Sequence, residues 1–188
     1  GRLADQKSVV NFREHSRDAL AYAMADRIDQ LAFLTMTGVS YGIKNNGALR
    51  NTLGSGQNLS DLVFSSDVSA PTSNRHRRWD AGTSTITTGD VTAIVAADTL
   101  NYKAIVQLKA YAKDSYIRGL RGAGNEEVYH LFVSPQVMAD LKLDSDFLAN
   151  VRNAGVRGPS NELFSGTSSL MVDGVIIHEF RHVFDVSG

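Results

Sequence analysis

A stretch from Ala4 to Met36 contains neither proline nor glycine, and it constrains the fold more than any other feature of the chain. It is rich in Ala, Leu, Arg and Met, which favour helix. Apolar residues recur along it at roughly helical spacing, namely Val10, Leu20, Met24, Ile28, Leu31 and Leu34. Gly38 is a plausible stop signal. The pattern predicts one helix about 50 Å long, which suits the spine of a flat or extended subunit.

The segment that follows has a different character. From Val39 to about Ala97 the chain is dominated by Gly, Ser, Thr and Asn, and apolar residues occur in short clusters. This composition predicts long loops with a few short strands, for example near Thr83–Thr88. So irregular a stretch is easier to accept in a subunit whose loops are covered by neighbouring chains than in a compact enzyme.

The last part of the chain alternates helix and strand signals. Asp98 or Thr99 is predicted to cap a helix whose buried face comprises Leu100, Ala104, Ile105, Leu108, Tyr111 and Ala112. A strand is predicted at Val128–Val133, a helix starting at Ser134–Pro135, another starting at Asp144 or Asp146 and stopping at Gly155, and a hairpin of Leu170–Val172 and Val175–Ile177. Asp173-Gly174 predicts a type I′ turn in that hairpin. This order indicates an α+β fold.

Composition limits the class of protein. The 188 residues suit one large domain or two small ones. Without cysteine the chain has no disulfides and no thiolate metal sites. No apolar run approaches the roughly 20 residues that span a bilayer, and no secretory signal is recognisable, so no membrane partner is expected. The missing initiator Met suggests a processed or excised piece, and both ends are expected to be incomplete.

Charge points to contacts between proteins. The net charge is −1, so the whole molecule is not a polycation. Arginine outnumbers lysine 13 to 6. This can be chance composition, or it can reflect a surface built for protein–protein contact, since the planar guanidinium suits interfacial ion pairs.

One motif matches a catalytic signature. The residues His178-Glu179-Phe180-Arg181-His182 match H-E-x-x-H, in which two histidines one helical turn apart bind zinc and the glutamate acts as the base. The motif directly follows the strand-forming Val175–Ile177, and Val183 and Phe184 continue the β pattern. Residues four apart on a strand lie about 13 Å from each other, too far for one zinc. We therefore predict a polar strand near a sheet edge or interface, with no metal site.

Two further segments have weaker functional readings. Gly119-Leu120-Arg121-Gly122-Ala123-Gly124 is similar to a phosphate-binding loop, but it leaves a helix and enters a strand, the reverse of the usual polarity. A flexible or intersubunit loop is expected there. Arg75-His76-Arg77-Arg78-Trp79 can contact nucleic-acid phosphates or form ion pairs with neighbouring subunits, and the second reading is favoured. His15 is expected to be solvated or interfacial, and no nucleophile–His–Asp arrangement follows from local spacing.

Several stretches, in order along nearly the whole chain, resemble the major capsid protein family of tailed phages related to the podovirus-type coliphage with a virion-borne RNA polymerase. They include Arg2–Gln6, Asn11–His15, Ala25–Leu34, Ala70–Thr72 with Asn74–Trp79, Val133–Gln136 with Leu141–Asp144, and Val172–Glu179. The resemblance implies the Hong Kong-type phage capsid fold, with a peripheral domain containing a long spine helix and an axial domain. On this basis residues 1–97 are expected to form the peripheral domain and residues 98–188 an axial-type α+β domain. The family's N-terminal arm and extended hairpin loop would lie before Gly1, and a further stretch after Gly188.

The resemblance also implies a function. The chain is expected to be a structural protein with no catalytic, cofactor-binding or metal-binding residues and no cofactor. It would assemble in a virion, after synthesis in the bacterial host cytoplasm, into hexamers and pentamers around double-stranded DNA that it binds without sequence specificity. Portal, scaffolding and decoration proteins are possible further partners. Two alternatives are an encapsulin-like shell of a cellular compartment and a zinc hydrolase using His178, Glu179 and His182.

Overall fold

The computed structural model of the protein describes residues 12–46, 48–69, 71–89, 93–154 and 169–183. These residues form two compact units, one within residues 12–69 and the other within residues 71–183. The described residues 71–89 and 93–97, which the sequence groups with the first segment, cluster with the second unit. No helix in the described ranges has the length and apolar character needed to cross a membrane.

The first unit is built on one long helix, α1 (Phe12–Thr37, 26 residues). Gly38 follows it with φ 73°, and the Val39 amide donates to the Leu34 carbonyl at 3.0 Å, which is the closing bond of a glycine-terminated helix. The helix and its stop are therefore present as predicted. The predicted residues 4–11 of the helix lie outside the described residues.

Only the C-terminal part of α1 is packed within the first unit. Leu34 is fully buried, and the loop after the helix bonds back to the neighbouring turns. The Thr35 and Tyr41 hydroxyls lie 2.7 Å apart, and the Asn45 side-chain amide donates to the Gln30 carbonyl at 3.3 Å. These bonds fix the last two turns of the helix.

The N-terminal part of α1 is exposed. Leu20, Met24 and Ile28 expose 62%, 58% and 64% of their surface. The apolar stripe predicted from the sequence therefore has the right spacing, but this stretch of it is not buried within the chain.

The second unit contains a two-stranded hairpin and a four-stranded mixed sheet. The hairpin pairs β1 (Arg78–Asp80) with β2 (Thr85–Thr87). The sheet comprises β3 (Leu120–Arg121), β4 (Glu127–Val133), β5 (Ser169–Val172) and β6 (Val175–Glu179) in the order β3-β4-β6-β5. β4 and β6 are parallel and the outer pairs are antiparallel. The helices of this unit are α2 (Tyr102–Asp114), α3 (Pro135–Leu143) and α4 (Ser145–Ala154).

The core lies on one face of the four-stranded sheet. Side chains alternate between the two faces of a strand. On β5 and β6, Leu170, Val172, Val175 and Ile177 are buried, whereas Met171 is 55% exposed. The buried set packs against residues from all three helices: Ile105, Met138, Leu141 and Phe147. The helices therefore cover one face, and the opposite face, which we call the open sheet face, keeps exposed side chains.

The starts of the three helices test the predicted caps. Asn101 caps α2, because its side-chain oxygen accepts from the Ala104 amide at 2.9 Å. The prediction of Asp98 or Thr99 at this position was wrong. Ser134 caps α3, with Pro135 at the first helical position, and the Asp144 carboxylate accepts from the Phe147 amide at 3.1 Å at the start of α4. The predicted stop of α4 at Gly155 lies outside the described residues.

The C-terminal hairpin follows its turn residues. Asp173 and Gly174 both have positive φ, 48° and 74°, as a type I′ turn requires. Lys109 on α2 donates to the Asp173 carbonyl, and its Nζ lies 3.1 Å from the Asp173 carboxylate. The predicted hairpin is therefore present, and a cation from α2 holds its turn.

Candidate functional site

The H-E-x-x-H segment does not form a helix. His178 and Glu179 are the last two residues of β6, and Arg181 and His182 lie in the turn after it. The predicted strand character holds through Glu179, but its continuation to Val183 was wrong, because the chain turns after Phe180; Phe184 lies outside the described residues. Without the helix that brings both histidines of this motif to one zinc, the segment lacks the geometry of the zinc hydrolase alternative.

The structure gives His178 a different partner. His130 on β4 and His178 on the neighbouring β6 lie on the open sheet face, with His130 Nδ1 2.8 Å from His178 Nε2. Their rings are nearly parallel, and the His178 ring also stacks on Phe132 with centroids 5.0 Å apart. Sequence reasoning missed His130, because its partner is 48 positions away and the contact depends on the register of two non-consecutive strands.

The glycine-rich segment forms the β3–β4 hairpin. The Gly122 amide donates to the Glu126 carbonyl at 2.8 Å, and the Gly119 amide donates to the Glu127 carboxylate at 2.7 Å. A side chain at Gly119 would collide with the Val128 carbonyl, since an added Cβ would lie 2.7 Å from that oxygen. These glycines serve close strand pairing. In a phosphate-binding loop, the backbone amides are free to donate to a bound anion. Here the Gly119 amide already donates to the Glu127 carboxylate.

Asp98 is the centre of a hydrogen-bond cluster rather than a helix cap. Its buried carboxylate accepts from the Ala81 amide at 2.8 Å and the Val95 amide at 3.1 Å, and pairs with Arg78 at 3.2 Å. The two amides, and to a lesser extent the Arg78 guanidinium, hold the pKa of Asp98 below its ordinary value, although burial opposes them. The carboxylate thereby ties the β1–β2 hairpin to the loop that precedes α2.

The basic segment 75–79 is partly used within the chain. Arg78 bonds to Asp98 and lies 3.5 Å from Asp80, with only 18% of its side chain exposed. Arg77 lies over the ring of Tyr111, 4.8 Å from its centroid. The ion pairs expected with neighbouring subunits are, for Arg78, formed inside its own subunit. Arg75 and His76 are exposed.

No group of three or more His, Asp or Glu side chains within the described ranges is arranged to hold a metal ion. The features that the structure brings together are the Asp98 cluster, which is structural, the His130–His178 pair, and the exposed length of α1. None of them combines a nucleophile with a base.

A family profile and a curated relative indicate the same family, and a solved structure shows a similar fold. A family profile described as phage capsid protein matches residues 1–185. The chain is 52% identical over 189 residues to the major capsid protein of Pseudomonas phage KPP25. This alignment covers 100% of the chain and 49% of that protein. It thus spans about half the length of this relative. The capsid of Ralstonia phage GP4 is similar in fold, with a TM-score of 0.59 at 18% identity over 99% of this chain and 51% of that chain.

Proposed function

The chain belongs to the phage capsid protein family, a family of structural proteins and not enzymes, and from this premise we propose that its copies associate into hexamers and pentamers of an icosahedral head around double-stranded DNA. Head subunits contact each other through surfaces that close by rotation, and small changes in contact angle allow rings of five or six. The site of action would be the virion. Contacts with portal, scaffolding or decoration proteins, and DNA contacts without sequence specificity, belong to the same proposal.

The exposed apolar stripe of α1 is the observation that carries this proposal. Leu20, Met24 and Ile28 are spaced four apart, so they follow one line along the helix. Helices in water gain most of their stability from packing of an apolar face. This face finds no such packing in the described part of its own subunit, so an adjacent copy is the natural partner.

The same reasoning assigns roles to the two units. We assign α1 as the spine helix of a peripheral domain, and the four-stranded sheet with its three helices as an axial-type domain. The fold similarity to the phage GP4 capsid chain supports this assignment at the level of architecture.

The proposal is tested by electron microscopy of particles formed by the full-length protein. Closed shells tens of nanometres across are expected, and the density inside them distinguishes nucleic acid from the protein cargo of an encapsulin-like compartment. Small discrete particles from the intact wild-type protein would contradict a shell function.

A pair of variants of α1 tests the surface itself. Leu20→Glu combined with Met24→Glu places two charges on the stripe and is expected to leave the protein unassembled. Ala19→Glu places a charge at an exposed position about 140° around the helix from Met24 and is expected to preserve shells. If the double variant assembles as the wild type does, α1 is not an assembly surface.

A further inference from the structure

Tyr116, just after α2, occupies a position that favours glycine, because its φ of 57° lies in the left-handed region. The Ile117 amide donates to the Ala112 carbonyl at 2.9 Å. The Tyr116 amide donates to the Lys113 carbonyl at 3.0 Å. These two bonds form a Schellman motif, in which the left-handed residue is usually glycine, since a Cβ there crowds the following carbonyl oxygen. Tyrosine at this position therefore carries backbone strain.

Packing within the subunit does not offset this strain. Tyr116 exposes 94% of its surface, the highest value among the large hydrophobic side chains in the described ranges. The other described non-glycine residues with positive φ are Ser84, Asn125 and Asp173, which are small and polar and lie in hairpin loops. Strained backbone in native proteins concentrates at sites where function requires it. Strain and aromatic exposure in one residue therefore point to a partner outside the subunit.

The surroundings of Tyr116 match the anatomy of a protein interface. Tyr116 borders a shallow hollow of the surface that Lys113, Arg118 and Glu127 also line. These three charged residues are exposed. Binding energy between proteins is concentrated in a few anchors, with tyrosine among the commonest, and the rim around an anchor is polar and solvated. Tyr116 has the character of such an anchor, and the charged residues have the character of its rim.

We propose that Tyr116 is an anchor of the contact between neighbouring copies of this chain. This inference rests on the proposed shell function, which supplies further copies as partners, and it adds a second contact region to the exposed stripe of α1. On association the ring is buried against apolar surface of the adjacent copy, where its hydroxyl finds a hydrogen-bond partner. Lys113 and Arg118 stay at the solvated rim. The contact offsets the strain that the isolated subunit carries.

Substitution by glycine separates this role from an ordinary structural one. Tyr116→Gly relieves the left-handed strain, so it is expected to raise the melting temperature of the unassembled full-length subunit by about 2–4 °C. The same change removes the anchor. The protein concentration needed for half-maximal shell formation, followed by light scattering, is therefore expected to rise about tenfold or more. A residue that only supports its own fold would not combine greater subunit stability with weaker assembly.

Two matched variants complete the experiment. Ser84→Gly relieves another exposed left-handed position, with φ 54°, and is expected to assemble as the wild type does. Tyr116→Phe keeps the ring and is expected to assemble at a lower concentration than Tyr116→Gly. Unchanged assembly of Tyr116→Gly beside a wild type that forms shells, or a lower melting temperature of this variant, would overturn the anchor alone. Absence of shells from the wild type would contradict the proposed function, and the anchor with it.

Discussion

At the scale of single residues, Asp98 shows how one carboxylate organises irregular backbone. It binds two amides that are 14 positions apart, Ala81 and Val95, and the Arg78 guanidinium between the same elements. A buried carboxylate with several donors is stable only while these donors remain in place. Asp98 thus satisfies backbone amides of this irregular segment that a neighbouring strand would satisfy in a sheet.

Replacing Asp98 with Asn is expected to lower the melting temperature of the protein clearly more than Asp18→Asn does. The amide of Asn has one acceptor oxygen, so it cannot satisfy both backbone amides and Arg78. Asp18 is an exposed carboxylate of α1 whose ion pair with Arg17 is open to solvent, which makes it a suitable control. Thermal unfolding followed by circular dichroism measures both, and equal melting temperatures would contradict the role of Asp98.

The lowered pKa of Asp98 also predicts an acid dependence. Since the pKa in the folded state lies below the ordinary value of 3.8, the unfolded state binds the proton more tightly. The contribution of Asp98 to stability is then fully present above pH 3.8 and is lost as the pH falls through the lowered folded-state pKa. Urea unfolding across this range should show a steeper loss of stability in the wild type than in Asp98→Asn. Parallel curves would show that the carboxylate gains nothing on folding.

At the scale of elements, the sequence predicted those parts that local chemistry determines. The Asp173-Gly174 turn, the Ser134-Pro135 helix start and the β4 strand are present because a few adjacent residues specify them. The cap of α2 was misplaced, because Asp98, Thr99 and Asn101 are all good capping residues, and the choice depended on Asp98 being taken by the β1–β2 hairpin. The pairing of His130 with His178 could not be predicted for the same reason, since strand register is a tertiary property.

The cap of α2 can be tested by substitution. Asn101→Ala is expected to cost about 1 kcal/mol of folding free energy, because the Ala104 amide loses its side-chain acceptor. Thr99→Ala, at an exposed position before the helix, should cost a few tenths at most. Chemical denaturation of the two variants decides which residue caps the helix, and a larger cost for Thr99→Ala would reverse the assignment.

The β5–β6 turn makes a similar prediction. Gly174→Val places a β-branched side chain at φ 74°, and is expected to destabilise the protein by about 1–2 kcal/mol. Gly42→Ala is the control, because Gly42 has no positive φ and an added Cβ would meet its nearest neighbour at an ordinary 3.5 Å. Equilibrium unfolding of both variants checks the difference. An unaffected Gly174→Val protein would mean that the turn can relax to another type.

At the scale of the assembly, the exposed apolar residues of α1 are expected to distinguish the isolated subunit from the assembled one. They are exposed in the isolated subunit and would be buried in the proposed shell. Burial against a neighbouring copy would stabilise the bound state by mass action. Sequence periodicity predicted the helix but could not tell whether its stripe faces the subunit's own core or another chain, because both give the same spacing.

Hydrogen–deuterium exchange should detect this difference. Amides of residues 16–29 in α1 are expected to exchange at least tenfold faster in the unassembled subunit than in assembled shells. Amides of β4 serve as the internal reference and should exchange equally slowly in both, because their partners belong to the same chain. Equal protection of α1 in the two states would remove the helix from the interface.

The parallel pairing of β4 with β6 has a consequence for the order in which the chain folds. β5 and β6 form a local hairpin, and hairpins of this kind form in about 1–10 μs. β4, in contrast, pairs with a strand that begins 42 residues after its own end. Long-range closure of this kind slows folding. On the ribosome, the edge of β4 that pairs with β6 stays without its partner strand until Glu179 has emerged. A nascent subunit therefore cannot finish its sheet early, and competence to join a shell would arise only near the end of this stretch of synthesis.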